Sequence, residues 1–185
     1  MWIISWSVVV VCWFAWLYLF LFRAPHKQER ESITVAGPTR AGLLLECLGI
    51  FAAFLFRMPV DSPVALWRVA AAVALGVGSA VMAWTAVTHL GRQFRVQAGL
   101  YHDHQLVSSG PYRIVRHPIY ASLLGMLLCT ILLMTTWEGA IVSLVLYVAG
   151  TEIRVRTEDA LLASRFGEAF DRYERSVPAY IPFVR

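Results

Sequence analysis

The chain has 185 residues, 58% apolar and 15% charged, with a mean hydropathy of +0.61 and a formal net charge of +4. Soluble proteins carry roughly 45–50% apolar and about 25% charged residues, and a soluble domain of this composition would expose large apolar patches. The composition argues against a disordered chain, a secreted disulfide scaffold and a soluble nucleic-acid binder, and the apolar excess falls in long uncharged runs suited to lipid.

A spanning helix needs about 20 mostly apolar residues. Residues 1–22 carry no charge. They lack a basic n-region and a small-residue cleavage site, so they read as a retained first helix and not as a signal peptide. Residues 41–56 form a shorter second run that carries Glu46. An intramembrane carboxylate is a functional candidate by default, though this one could also snorkel to the surface. Residues 64–90 form a third run in which Gly76, Gly78, Ser79 and Ala80 suit close helix packing. Residues 118–137 and 138–151 give a fourth and a fifth, and the helical pattern of the fifth runs on past Thr151. The short turn near Thr135 and Gly139 implies an antiparallel hairpin. Cys12, Cys47 and Cys129 lie in apolar runs and read as buried free thiols.

Five spans place fourteen of the sixteen basic residues on one side, in the first and third loops and the C-terminal tail. The positive-inside rule then puts the N-terminus outside and the tail in the cytoplasm of a bacterial inner membrane or its equivalent. The fold class is an all-α integral membrane protein of five transmembrane helices with a cytoplasmic amphipathic C-terminal segment. It is one membrane domain: residues 1–90 supply three spans, and residues 91–185 supply the half that carries the chemistry. Two polar segments, 91–118 and 151–185, meet on the cytoplasmic face.

Gly110-Pro111 is a turn signal. Pro118 suits the first turn of the fourth helix, which leaves Arg116 and His117 at its entrance. Free N–H groups at a helix start attract anions. Arg154 and Glu158 are four apart and share a helix face. Gly167 ends or bends that helix. The aromatic tail beyond it lies on the membrane surface or folds over the site. Each charged residue could instead anchor a helix end or form an ordinary helix pair, and His89 reads as interfacial. His102, His104 and His117 make only a weak metal pattern, so no metal is assigned.

The sequence His104-x-Leu106-x₃-Gly110-Pro111-Tyr112-Arg113-x-Val115-Arg116-His117-Pro118-x-Tyr120 is followed by Arg154-x₃-Glu158-Asp159-x₂-Leu162-x₃-Phe166-Gly167, then by Tyr173 and Ile181-Pro182-Phe183. This two-part pattern, between about His89 and Phe183, resembles the isoprenylcysteine carboxyl methyltransferase family, membrane enzymes related to the phospholipid methyltransferases. Asp159 stands where the family usually has Glu. The resemblance implies S-adenosylmethionine as cofactor, bound without a Rossmann fingerprint. It implies that His104, Leu106, Gly110, Tyr112, His117, Pro118, Tyr120 and Glu158 line the cofactor pocket, with Arg116, Arg154 and Glu158 as the catalytic charged positions. The implied acceptor is a lipophilic or lipidated molecule, plausibly carrying a carboxylate, with membrane lipid as the other partner; neither nucleic acid nor an obligate protein partner is implied. The alternatives are a phospholipid or other amine N-methyltransferase, an NADPH-dependent sterol reductase and a non-enzymatic lipid-binding protein. The reductases typically show Arg-His-x-Asn-Tyr, where this chain has Arg116-His117-Pro118-Ile119-Tyr120.

Overall fold

The computed structural model describes residues 2–23, 32–34, 37–94, 99–101 and 105–182. Six α-helices follow in order: α1 (Trp2–Tyr18), α2 (Gly37–Leu55), α3 (Leu66–Leu90), α4 (Pro118–Met134), α5 (Trp137–Phe166) and α6 (Glu168–Ser176). A π-helical turn, Leu19–Arg23, extends α1. The all-α expectation missed one small element: β1 (Ser32–Thr34) pairs antiparallel with β2 (Gly99–Tyr101) and ties the first loop to the third. By length and composition, Trp2–Phe22, Gly37–Leu55 and Leu66–Leu90 can each cross a membrane; α4 is apolar but has only 17 residues. The protein is an integral membrane protein.

Apolar side chains point outward as well as inward, as in lipid. Phe14, Leu21, Phe51, Leu66, Val81 and Val145 are all exposed, and Cys47, expected to be buried, is exposed too. The interior is centred on α4, where Gly125, Met126, Leu127, Cys129 and Thr130 are buried. Indole N–H groups fasten α1 to it: Trp13 Nε1 donates to Thr130 Oγ1 and Trp16 Nε1 to Ser122 Oγ, each at 3.0 Å. In a dry interior such donors need partners.

Contacts fix the helix directions. Gly42 meets Gly150 and Arg154, Gly49 meets Ser143 and Tyr147, and Thr136 N donates to Phe56 O. Hence α2 and α5 run antiparallel. In α3 and α4, Gly76 lies near Cys129 and Ser79 near Gly125, which sets the same relation. Helices successive in the chain, α1 to α5, therefore alternate between one end, near Arg57 and Met134, and another, near His117 and Arg154.

The expected turn between α4 and α5 is present, and Thr136 caps α5 by accepting from Gly139 N. These two sequence neighbours pack mainly on other helices, α4 on α3 and α5 on α2. Small residues decide this. A Cβ on Gly42 would lie 2.6 Å from Arg154 Cγ, and one on Gly150 would lie 2.5 Å from Gly42 O. Backbones that close are held by van der Waals contact rather than by a hydrophobic effect lipid does not supply. Of the small residues singled out in α3, Gly76 and Ser79 are buried, whereas Gly78 faces open space.

Candidate active site

Pro118 opens α4 with His117 as its N-cap, as its missing N–H favours. The preceding 3₁₀ turn, Gly110–Arg113, buries Tyr112. Gly110 has φ +58°, and a Cβ there would overlap the His89 ring from α3. Only glycine suits both conditions. Gly167, with φ +51°, ends α5 and starts α6 as expected. The tail then turns back to α4: Arg116 N and His117 N donate to Pro178 O and Ala179 O, each at 2.8 Å. The aromatic tail thus folds over the site, and its carbonyls occupy the two amides ahead of the helix.

Between these segments lies a cavity of about 350 Å³. Its walls include Leu106, Tyr112, Arg116, His117, Pro118, Tyr120, Arg154 and Glu158, all singled out from sequence. Gly110 is not among the lining residues; it stands behind the wall as the seat of His89. His104 lies outside the described residues. Sequence reasoning missed the contributions of Gln93, Phe94, Leu161 and Leu162, and of Trp16, Phe20 and Leu43 from the N-terminal helices. It left Glu46 undecided.

The charged side chains form one connected row. Glu46, 1% exposed, accepts from Thr151 Oγ1 at 3.0 Å and from Arg154 Nη1 at 2.9 Å. Arg154 Nε donates to Tyr120 Oη at 3.0 Å, and its guanidinium lies 4.9 Å from the Tyr120 ring centroid. Tyr120 Oη donates to Glu158 Oε1. His117 sits between two carboxylates, with Nδ1 3.3 Å from Glu158 Oε2 and Nε2 2.9 Å from Asp159 Oδ1. Arg116 Nη2 donates to Asp159 Oδ2 at 2.8 Å and to Glu174 Oε1 at 3.2 Å. Its Nη1 donates to Val177 O at 2.6 Å.

This geometry sets the protonation states. Burial works against a charged His117, but hydrogen bonds to Asp159 and Glu158 outweigh it and push its pKa up to about 9. Burial likewise opposes charge on Asp159, yet the bonds from His117 and Arg116 hold its pKa below the usual carboxylate value. Desolvation raises the phenols of Tyr112 and Tyr173, which stay neutral. The row thus alternates basic side chains (Arg116, His117, Arg154) with carboxyl groups (Glu46, Glu158, Asp159, Glu174), and each basic group is bonded to at least one of them. A basic group paired in this way avoids the cost of an unpaired buried ion.

Among the described residues, Arg116 Nε is buried with no hydrogen-bond partner, on a residue that lines the cavity. An orphaned charged donor beside a cavity marks a place for an acceptor that a ligand supplies. Glu158, 25% exposed at its side chain, offers the complementary anion. Phe94, Tyr112 and Tyr173 add aromatic faces. The donor set therefore suits a ligand that carries a carboxylate, an ammonium and an aromatic or cationic part.

The family model for isoprenylcysteine carboxyl methyltransferases matches residues 72–164, half of the chain. A protein-S-isoprenylcysteine O-methyltransferase of Schizosaccharomyces pombe is 37% identical over 83 residues, covering 44% of this chain and 35% of that protein. Protein-S-isoprenylcysteine O-methyltransferase B of Arabidopsis thaliana is 30% identical over 102 residues, covering 54% and 52%. The cobalt-zinc-cadmium resistance protein CzcN of Cupriavidus metallidurans is 35% identical over 111 residues, covering 58% and 46%. The alignments thus span about half or less of these curated relatives. Most of the cavity wall, from Leu90 to Leu162, and both charged segments up to Asp159 fall inside the matched region, and the chain belongs to the isoprenylcysteine carboxyl methyltransferase family.

Proposed function

We propose that the protein transfers a methyl group from S-adenosylmethionine to the carboxylate of a lipophilic acceptor, a prenylated cysteine or a molecule like it. The observation that carries this reading is the run of bonded basic and carboxylate side chains along one cavity wall, with Arg116, His117, Arg154 and Glu158 from the matched methyltransferase region and Glu46 from outside it. The cofactor supplies an electrophilic methyl on a sulfonium. Its net charge of one positive and a carboxylate's one negative cancel, so the pair adds no net charge to the site. A protonated amine acceptor would add a second positive charge and would need a base before reaction. The carboxylates that line the cavity are already bonded, Glu46 to Thr151 and Arg154, Glu158 to Tyr120 and His117. A carboxylate acceptor needs no base, only orientation.

In this reading Glu158 meets the cofactor's ammonium, and Arg116 Nε meets its carboxylate. Leu106, Tyr112, His117, Pro118 and Tyr120 complete the wall, with Gly110 seating His89 behind it and His104 completing the set. Arg154 faces the acceptor's carboxylate. The acceptor's apolar part lies against Trp16, Phe20, Leu43 and Leu123, on the membrane side of the cavity.

The alternating helix directions and the charge distribution support five crossings with the His117 end in the cytoplasm. Reporter fusions after Arg185 are then active only in the cytoplasm; a cytoplasmic signal from the loop of residues 57–63 overturns this topology. The activity is tested with purified protein, methyl-labelled S-adenosylmethionine and N-acetyl-S-farnesyl-cysteine. A product that releases labelled methanol in base is an ester and supports the reading. Label that is stable in base identifies N-methylation and overturns it.

A further inference from the structure

Among the described residues, Glu46 is the one carboxylate deep inside the helical core, and it lies outside the family-matched residues. It lines the same cavity as Arg154. Its two oxygens are both used, one by Thr151 and one by Arg154. Burying a carboxylate in an apolar core is costly unless it is paired and hydrogen-bonded, and this one meets both conditions. It could have been replaced by an apolar residue only if Arg154 were absent, because a lone buried guanidinium is worse than a pair.

The local packing shows that Arg154 is aimed and not merely neutralised. Its aliphatic stem lies against the Gly42 backbone, one turn before Glu46 on α2, where a Cβ would lie 2.6 Å from Arg154 Cγ. Its guanidinium is gripped at two edges, Nη1 by Glu46 and Nε by Tyr120, and the Tyr120 ring lies beneath it. Tyr120 is itself pinned, since Tyr147 Oη donates to its carbonyl at 2.7 Å. A planar cation held by its stem, two edges and one face has a single orientation.

We infer that Glu46 is a positioning residue for methyl transfer: through Nη1 it sets the plane of Arg154, and so the angle at which the acceptor's carboxylate meets the methyl group. The inference rests on the acceptor reading above and adds to it a residue from the N-terminal half. In-line displacement is sensitive to this angle, and a misplacement of about 1 Å costs on the order of 100-fold in rate.

Two signatures follow. In Glu46→Gln, Arg154 loses its anionic partner and keeps its charge, so the acceptor binds at least as tightly while turnover falls. Glu46→Asp keeps the charge and withdraws the oxygen by one methylene, so turnover falls there too. The experiment measures the Kd of N-acetyl-S-farnesyl-cysteine by calorimetry without cofactor, the Kd of S-adenosylmethionine, and kcat, on wild type and both variants. The expected result is kcat lower by about 100-fold, with both Kd values equal to or below those of wild type. A purely structural residue would lower the yield of folded protein and leave kcat alone. If Glu46→Gln or Glu46→Asp retains wild-type kcat, or if the loss runs through a weaker cofactor Kd, the inference is overturned while the acceptor reading stands. Wild type that neither binds nor methylates the farnesyl compound defeats the acceptor reading itself, and the inference with it.

Discussion

Arg116 and Arg154 look alike in the sequence, each a basic residue at the membrane edge of an apolar helix, yet their surroundings differ. Arg154 is held from inside, by Glu46 and Tyr120, with its guanidinium on the cavity wall. Arg116 is held from outside, by Asp159, Glu174 and the Val177 carbonyl, and three of its four hydrogen bonds, to Glu174 and Val177, close the tail over α4. Its Nε is left buried without a partner, on a residue that lines the cavity. The lesson is that charge and position do not fix a role; what remains of a side chain after its neighbours are satisfied does. In the proposed reading Arg154 orients, and Arg116 mostly fastens.

The largest effect expected is at the residue joining the two regions. Glu158 bonds to Tyr120 on the Arg154 side and to His117 on the Arg116 side. Glu158→Gln keeps the shape and removes the charge that would meet an ammonium. It should weaken S-adenosylmethionine binding by roughly 2–4 kcal/mol, read by calorimetry. An unchanged Kd would reduce Glu158 to a brace between two neighbours.

Arg116→Lys comes next. Lysine keeps the charge but has no fork to reach Asp159, Glu174 and Val177 together. We expect a loss of about 2 kcal/mol in the anchoring of the tail, seen as faster amide exchange and proteolysis across residues 168–182. Loss of activity should follow tail opening and recover when the tail is tethered. A tail as protected as in wild type, with activity gone, would move Arg116 into the same class as Arg154.

The helical runs were legible because lipid imposes a simple rule, about 20 apolar residues in series; the first four lie within a few residues of their expected bounds, and the fifth starts as expected in a helix that runs on to Phe166. The shared face of Arg154 and Glu158 was equally legible, since it needs only helical spacing. The partner of Arg154 was not: Glu46 is 108 residues away, and periodicity carries no information about which helix α5 packs on. That choice is made by Gly42, Gly49 and Gly150, whose significance appears only when two backbones meet. The one usable sign was the intramembrane carboxylate itself. The tail clamp was hidden for another reason: it is built from the carbonyls of Val177, Pro178 and Ala179, which every sequence has.

The Arg116 region should also respond to pH. His117 has its pKa raised to about 9, so its contribution to stability is full below its unfolded value near 6.5 and is lost as pH rises through about 9. Asp159 is shifted the other way, so its contribution is present above its unfolded value of 3.8 and lost as pH falls through its folded one. Thermal unfolding in detergent should therefore show an alkaline decline between about pH 7 and 9 that His117→Gln removes. A decline that persists in the variant would place the titrating group elsewhere.

The smallest effect tests the floor of the comparison, the glycine seam that lets α2 touch Arg154. Gly42→Ala inserts a methyl 2.6 Å from Arg154 Cγ and 2.7 Å from the Gly150 carbonyl. Backbone cannot yield there as the end of a side chain could, so we expect a loss of about 1–2 kcal/mol together with reduced turnover as Arg154 shifts. Gly78→Ala places the same methyl in open space on the outer face of α3. It should gain a few tenths of a kcal/mol from helix propensity and leave turnover unchanged. The two substitutions are chemically identical and lie on neighbouring spans, so their difference isolates contact at the seam from any general effect of alanine in a membrane helix. Equal behaviour in denaturation and turnover assays would mean that α2 does not hold Arg154 through Gly42, and the orientation of the guanidinium would then rest on Tyr120 and Glu46 alone.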